Sequence, residues 1–205
     1  MRKGIVLFDL QDFLYQGTKG LETTVETINE RQSHALGVVH TQMRAERQRR
    51  LSSRIHMPTV DIFLPTGDGY YLLCSPALND ILDIALCIMA MLYSDDIRVY
   101  CVAHVGEINI FTDMTGRENA TGFDLGYASR LQGLSRETEK LTCSENLLKV
   151  WEDNQYFDLG DSWHSDIAKD GLEYIWKIAV PKDFETACAQ FGASNATGPS
   201  SLGEQ

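Results

Sequence analysis

Three residue groups in this chain have the types and spacing to do chemistry together. Asp9 ends the apolar run Ile5-Val6-Leu7-Phe8, Asp68 sits in the turn-like Thr66-Gly67-Asp68-Gly69, and Arg130 lies in Gly122–Leu131, a segment read as a helix. If Ile5–Asp9 and Tyr70–Cys74 pair in one sheet, both carboxylates reach the same edge, where hard oxygen donors suit magnesium or manganese. A guanidinium nearby neutralises charge as it develops on phosphate. Each group alone has a plainer reading. Strand-end acids form turns and caps, and helical arginines are mostly solvated or salt-bridged. The combination points to phosphate chemistry on a metal-held nucleotide.

The elements that must position these groups alternate between helix and strand. Leu21, Val25, Ile28, Ala35, Val39 and Met43 recur at helical spacing. Ser75-Pro76 supplies an N-cap and a first-position proline for a helix whose apolar stripe runs through Leu78, Ile81, Leu82, Ala85, Met89 and Leu92. Arg98–Val105 and Glu107–Phe111 are β-prone and predict a hairpin about Gly106. Ser144 caps a further helix, and Leu172–Val180 is the last strand. The order is strand, helix, strand, helix, hairpin, helix, strand, helix, strand, an α/β pattern that periodicity alone does not assign to one topology. Small polar residues from Gly192 onward read as a flexible tail, so residues 1–185 are expected to form one domain and 186–205 a tail.

Composition narrows the partners. With 205 residues, 43% of them hydrophobic, the chain can bury one substantial core. Eighteen basic against 29 acidic residues give a net charge of −11, which repels nucleic acid and acidic membranes. The basic stretch Arg44, Arg47, Arg49, Arg50 and Arg54 is interrupted by Glu46 and reads as a solvated helix end. Five cysteines, odd in number and mostly inside apolar runs, read as buried thiols in a reducing compartment. The apolar stretch Ile81–Leu92 contains Asp83 and is too short to span a bilayer, and no secretory signal is apparent. A cytoplasmic protein without nucleic-acid or membrane partners is expected.

Phe8-Asp9-Leu10-Gln11-Asp12-Phe13, Gly67-Asp68-Gly69, Ala103-His104-Val105-Gly106-Glu107 and Gly122–Leu131, in this order, resemble the catalytic domain of the class III nucleotide cyclases from about Lys3 to Val180. Any one of these motifs is weak; their order carries the specificity. The resemblance implies a ferredoxin-like core, with a mostly antiparallel sheet flanked by helices. It also implies two Mn2+ or Mg2+ ions on Asp9, Asp68 and the Leu10 carbonyl, with phosphate binding in the turn Leu10–Leu14, where Phe13 lies. Arg130 matches the arginine that stabilises the phosphoryl transition state, and Lys169 matches, more weakly, a late phosphate-binding lysine. The sites of that family form between subunits, so a homodimer is implied, with Arg130 and Asn119 serving the aspartates of the opposite chain. Gly126 stands where the family has a ribose-orienting asparagine, and Asp12 where it has glycine. His104 is read as a structural histidine.

Adenylate cyclases carry a lysine and an aspartate at the positions of Leu64 and Asn119 here, so the purine-reading pair is missing. An asparagine amide both donates and accepts, which suits the edge of uracil or cytosine equally. The short stand-alone domain with altered base-selecting positions resembles the pyrimidine cyclases of bacterial Pycsar anti-phage systems, and among them the uridylate cyclases. That resemblance implies UTP as substrate, cyclic UMP as messenger and a separate effector protein. A cytidylate or purine cyclase and a noncatalytic nucleotide-binding dimer are the alternatives.

Overall fold

The computed structural model describes residues 1–11, 60–66, 69–94 and 98–192. Strand β1 (Arg2–Leu10) lies at the centre of an eight-stranded sheet because both of its faces are apolar: Ile5 and Leu7 enter one core cluster, and Val6, Phe8 and Leu10 the other. Its neighbours are β3 (Gly69–Cys74) and β4 (Val99–Glu107), both antiparallel to it. The expected pairing of Ile5–Asp9 with Tyr70–Cys74 is present, in a register that sets Asp9 opposite Gly69 and Gly4 opposite Cys74.

The remaining elements follow from that centre. Strand β2 (Val60–Pro65) covers the β3 edge, and helix α1 (Leu78–Ser94) packs on the Val6 and Phe8 face. After β4 come a two-stranded hairpin, β5 (Asn109–Thr112) and β6 (Glu118–Thr121), and helix α2 (Phe123–Ser135). Leu125, Ala128 and Leu131 of α2 are buried on the opposite, Ile5 and Leu7 face. Strand β7 (Leu141–Ser144) then pairs with β4, the one parallel pairing among the described strands, in a sheet ordered β2-β3-β1-β4-β7-β10-β8. Helix α3 (Glu145–Leu148) leads to β8 (Phe157–Leu159) and β9 (His164–Ile167), both antiparallel to β10 (Glu173–Pro181). Helix α4 (Phe184–Gly192) returns to the α1 face, where Phe184 packs against Tyr93 with ring centroids 5.2 Å apart. The result is a mixed α+β layer: one large, mostly antiparallel sheet flanked by helices on both faces.

Several expectations are corrected. The hairpin does not turn at Gly106: β4 runs through that residue, and the turn is 113–117, where Asp113 Oδ1 accepts from the Thr115 and Arg117 backbone N–H groups at 2.8 and 3.1 Å. Gly106 is small for another reason. A Cβ there would stand 2.3 Å from Asp124 Cβ, so the glycine marks where α2 presses on β4. Helix α1 begins at Leu78, two residues later than expected; its first bond runs from the Ile81 N–H to the Ala77 carbonyl, and Ser75 Oγ accepts from the Ala77 N–H at 3.2 Å. Ser75-Pro76 thus leads into the helix without belonging to it. The expected domain limit at 185 falls inside α4, whose Ala187 is buried. The Leu21–Met43 helix and residues 193–205 lie outside the described residues. Ser144 does cap α3, its Oγ accepting from the Leu147 N–H at 3.2 Å. No helix among the described residues is long and apolar enough to cross a membrane.

Candidate active site

Side chains alternate along β1, so Asp9 shares its face with Ile5 and Leu7 and points toward α2. It is half-buried, and its Oδ2 accepts from Gln132 Nε2 of α2 at 2.9 Å. Opposite it, Gly69 makes a close backbone crossing: a Cβ there would lie 1.9 Å from the Phe8 carbonyl oxygen and 2.9 Å from Asp9 Cα. The Thr66 N–H donates to the Gly69 carbonyl at 3.0 Å and closes the β2–β3 connection over Gly67 and Asp68. Those two residues, like Phe13, lie outside the described ones. In sequence, Asp68 directly precedes Gly69, the register partner of Asp9.

Tyr71, the next residue of β3 on this face, donates its hydroxyl to the Leu125 carbonyl at 3.0 Å and so ties β3 to α2. Burial pushes its phenol pKa up; a hydrogen bond with Ser129 opposes this and the Asp9 charge adds to it. Among the described residues no three His, Cys, Asp or Glu side chains cluster as a ready metal cage. Among the described residues, the oxygen donors at this sheet end are the Asp9 carboxylate and the Leu10 backbone carbonyl. Both are hard oxygens, which fits magnesium or manganese and not a thiolate or imidazole metal.

The cations gather where α2 meets the β9–β10 turn. Arg130 is 59% exposed, and its Nε stands 3.7 Å from Asp170 Oδ2 in the β9–β10 turn. Lys169 precedes Asp170 in that turn and is exposed. The turn is closed by the Ala168 N–H on the Leu172 carbonyl at 3.1 Å and by Gly171 at φ 79°, a left-handed position that favours glycine. The fold thus brings Arg130 and the Lys169 turn together, though 39 positions separate them in sequence. Asn119 is half-buried on β6, its Oδ1 accepting from the Ala120 N–H at 2.8 Å. Leu64 is 8% exposed, paired across the β2–β3 ladder with Tyr71, in the core cluster of the α2 face. A Cβ at Gly126 would meet nothing within 4 Å, so that helix position is open.

His104, at 0% exposure, anchors α2 to the sheet. Its Nε2 lies 3.1 Å from Asp124 Oδ1 and its Nδ1 2.7 Å from Ser144 Oγ. A carboxylate only accepts, so Nε2 carries the hydrogen and the Ser144 hydroxyl donates to Nδ1. Tyr127 stacks on the imidazole at 5.0 Å. Burial holds the His104 pKa below its ordinary value, against the opposing hydrogen bond and charge of Asp124. The triad of residue types has no exposed nucleophile and is structural.

Gln132, Tyr71 and Asp170 were not foreseen from sequence. Gln132 lies two positions past Arg130, but its reach to Asp9 spans 123 residues. No local pattern encodes that contact or the one between Arg130 and Asp170.

No family model and no curated protein matches the chain. Solved structures do. The guanylate cyclase domain of RhGC from Catenaria anguillulae, in complex with GTP, is similar over 88% of this chain and 96% of its own, with 12% identity and a TM-score of 0.56. The catalytic core of a rhodopsin-guanylyl cyclase with converted specificity, in complex with ATPalphaS, gives 12% identity and 0.59 over the same shares. The adenylyl cyclase CyaB from P. aeruginosa gives 16% identity and 0.53, over 87% of this chain and 94% of its own. The chain has the fold of the class III nucleotide cyclase catalytic domains.

Proposed function

We propose that this chain is a nucleotide cyclase that converts UTP to 3′,5′-cyclic UMP and diphosphate. The observation that supports it most is the placement of Asp9 near the end of β1, opposite Gly69, the residue that follows Asp68 in sequence, in a cyclase-like fold. Asp9, Asp68 and the Leu10 carbonyl would hold two divalent ions, Mg2+ or Mn2+, whose chemistry when bound is to neutralise phosphate charge and favour the ionised ribose hydroxyl. Gln132, bonded to Asp9 Oδ2, fixes the rotamer of that carboxylate. Arg130 and Lys169 meet the negative charge of the triphosphate. The ribose 3′-hydroxyl gives its proton to solvent water, and its oxygen bonds to the α-phosphorus as the bond to diphosphate breaks. Phosphate binding is also assigned, from the sequence alone, to the segment that contains Phe13.

Pyrimidine choice rests on Asn119 and Leu64. An amide at 119 can donate to and accept from a uracil edge, and an apolar side chain at 64 offers a purine no hydrogen-bonding partner. The enzyme acts as a homodimer with two shared sites, in which Arg130 of the partner subunit faces Asp9. Cyclic UMP would be a messenger to a separate effector protein in anti-phage defence of the Pycsar kind.

A purine cyclase is the second reading. It is favoured by similar structures that hold GTP and ATPalphaS. Separate incubations with UTP, CTP, ATP and GTP in the presence of manganese, with products identified by mass spectrometry, distinguish the two. Cyclic UMP supports the first reading. Cyclic AMP or GMP as main product replaces it by the second, and saturable binding without diphosphate release would make the chain a noncatalytic dimer.

A further inference from the structure

We propose that Asp170 is a positioning residue for the proposed phosphate-facing cations, orienting Arg130 by its charge while shaping the turn that presents Lys169. The proposal rests on the cyclase reading above for its functional part.

Asp170 is tied down on three sides. Its Oδ1 accepts from the Leu172 N–H at 3.1 Å, which fixes the turn; its Oδ2 accepts from the Tyr174 hydroxyl at 2.7 Å and also faces Arg130 Nε at 3.7 Å. Tyr174 is 1% exposed, and its ring lies 4.6 Å from that of Tyr127, which in turn stacks on His104. The carboxylate, itself exposed, is thus tied to the core through Tyr174 and stands beside an arginine side chain that is 59% exposed.

The Tyr174 hydroxyl and the Leu172 N–H hold the Asp170 carboxyl below its ordinary range, so it stays charged at neutral pH. An exposed ion pair of this length contributes little to stability. What it supplies is orientation. Its closest approach to Arg130 is through Nε, which leaves the two terminal guanidinium nitrogens for a bidentate phosphate contact. A long side chain held along one direction loses less freedom when phosphate arrives than one that samples solvent.

Asp170→Asn tests this while keeping the side chain's shape and one acceptor. Expected are a kcat about tenfold lower with KM changed less than about threefold, a melting temperature within about 2 °C of the parent, and partial recovery in Asp170→Glu. In an Arg130→Ala background the same change should have no further effect, because Asp170 acts through the arginine. In the whole chain, the Arg130 Nε–H resonance should shift in Asp170→Asn, because the carboxylate charge facing it at 3.7 Å is removed. An unchanged Nε–H resonance, or an equal loss of kcat in the Arg130→Ala background, overturns the proposal. If the parent protein forms no cyclic product from any nucleoside triphosphate, the cyclase reading fails and the catalytic role of Asp170 fails with it. The Nε–H measurement alone still decides whether Asp170 orients Arg130.

Discussion

Replacing Asp124 by Ala removes the acceptor on which the α2–sheet junction depends. Asp124 Oδ1 takes the His104 Nε2–H at 3.1 Å and Oδ2 takes the Glu107 N–H at 2.6 Å. The two losses are unequal. Glu107 is exposed, so water replaces the carboxylate there at small cost, whereas His104 has no solvent exposure and its orphaned N–H bears a desolvation penalty of about 1–3 kcal/mol. With a residual contribution from the Glu107 bond, the expected destabilisation is about 3 kcal/mol, a large part of the ~5–15 kcal/mol that holds a domain folded. For a chain of this size that lowers the melting temperature by roughly 6–12 °C. Urea unfolding followed by circular dichroism measures it, and Asp124→Asn, which keeps one acceptor, should lose about half as much.

The same variant carries a pH signature. His104 has a folded pKa below its ordinary 6.5, so below that pH the unfolded chain binds the extra proton and stability falls as acid is added. Asp124 opposes that lowering by hydrogen bond and by charge; without it the folded pKa drops further and the acid-side loss extends to lower pH. The slope from this one group approaches about 1.4 kcal/mol per pH unit. A loss under about 0.5 kcal/mol at neutral pH, with an unaltered acid limb, would refute the assignment of Asp124 and His104 as the junction.

Asp68→Ala and Arg130→Ala should each lower cyclisation by about a hundredfold or more, and mixing the two should restore about a quarter of parental activity, because half the dimers then carry one intact site. No recovery in verified heterodimers would argue against shared sites. Gly69→Ala should lower the melting temperature and cut turnover, since its Cβ would meet the Phe8 carbonyl and Asp9 Cα, which are backbone and cannot rotate away. Parental stability in that variant would contradict the close crossing. Burial pushes the thiols of Cys74 and Cys101 up to about 12 and that of Cys143 well above its ordinary value. All three should resist a thiol reagent at pH 8 until urea is added, and peptide mapping that finds Cys101 labelled in the native protein would contradict its burial.

The sequence made the strands legible where burial on both faces leaves an apolar run, as at Ile5–Phe8 and Leu72–Cys74. Short edge strands left no such trace: β9, with all four residues exposed, is held by its ladder to β10 and not by its own side chains. Gly106 misled because a glycine inside a β-prone stretch usually signals a turn, and here it signals a helix pressed against the strand. Among the site residues, the register of Asp9 opposite Gly69 followed from two apolar runs that had to share a sheet. The contacts of Gln132 with Asp9 and of Asp170 with Arg130 join segments 123 and 40 positions apart, and only the packing of α2 across the sheet creates them.

Cyclisation with a pyrimidine preference is the reaction proposed for Asp9 and Asp68. The most direct measurement gives the protein an equimolar mixture of UTP, CTP, ATP and GTP with manganese and quantifies every cyclic nucleotide by mass spectrometry, with Asp68→Ala in parallel. Cyclic UMP as the dominant product, absent from the Asp68→Ala reaction, is the predicted result. A dominant purine product would contradict the roles given to Leu64 and Asn119, and equal turnover by Asp68→Ala would contradict the metal-carboxylate account itself.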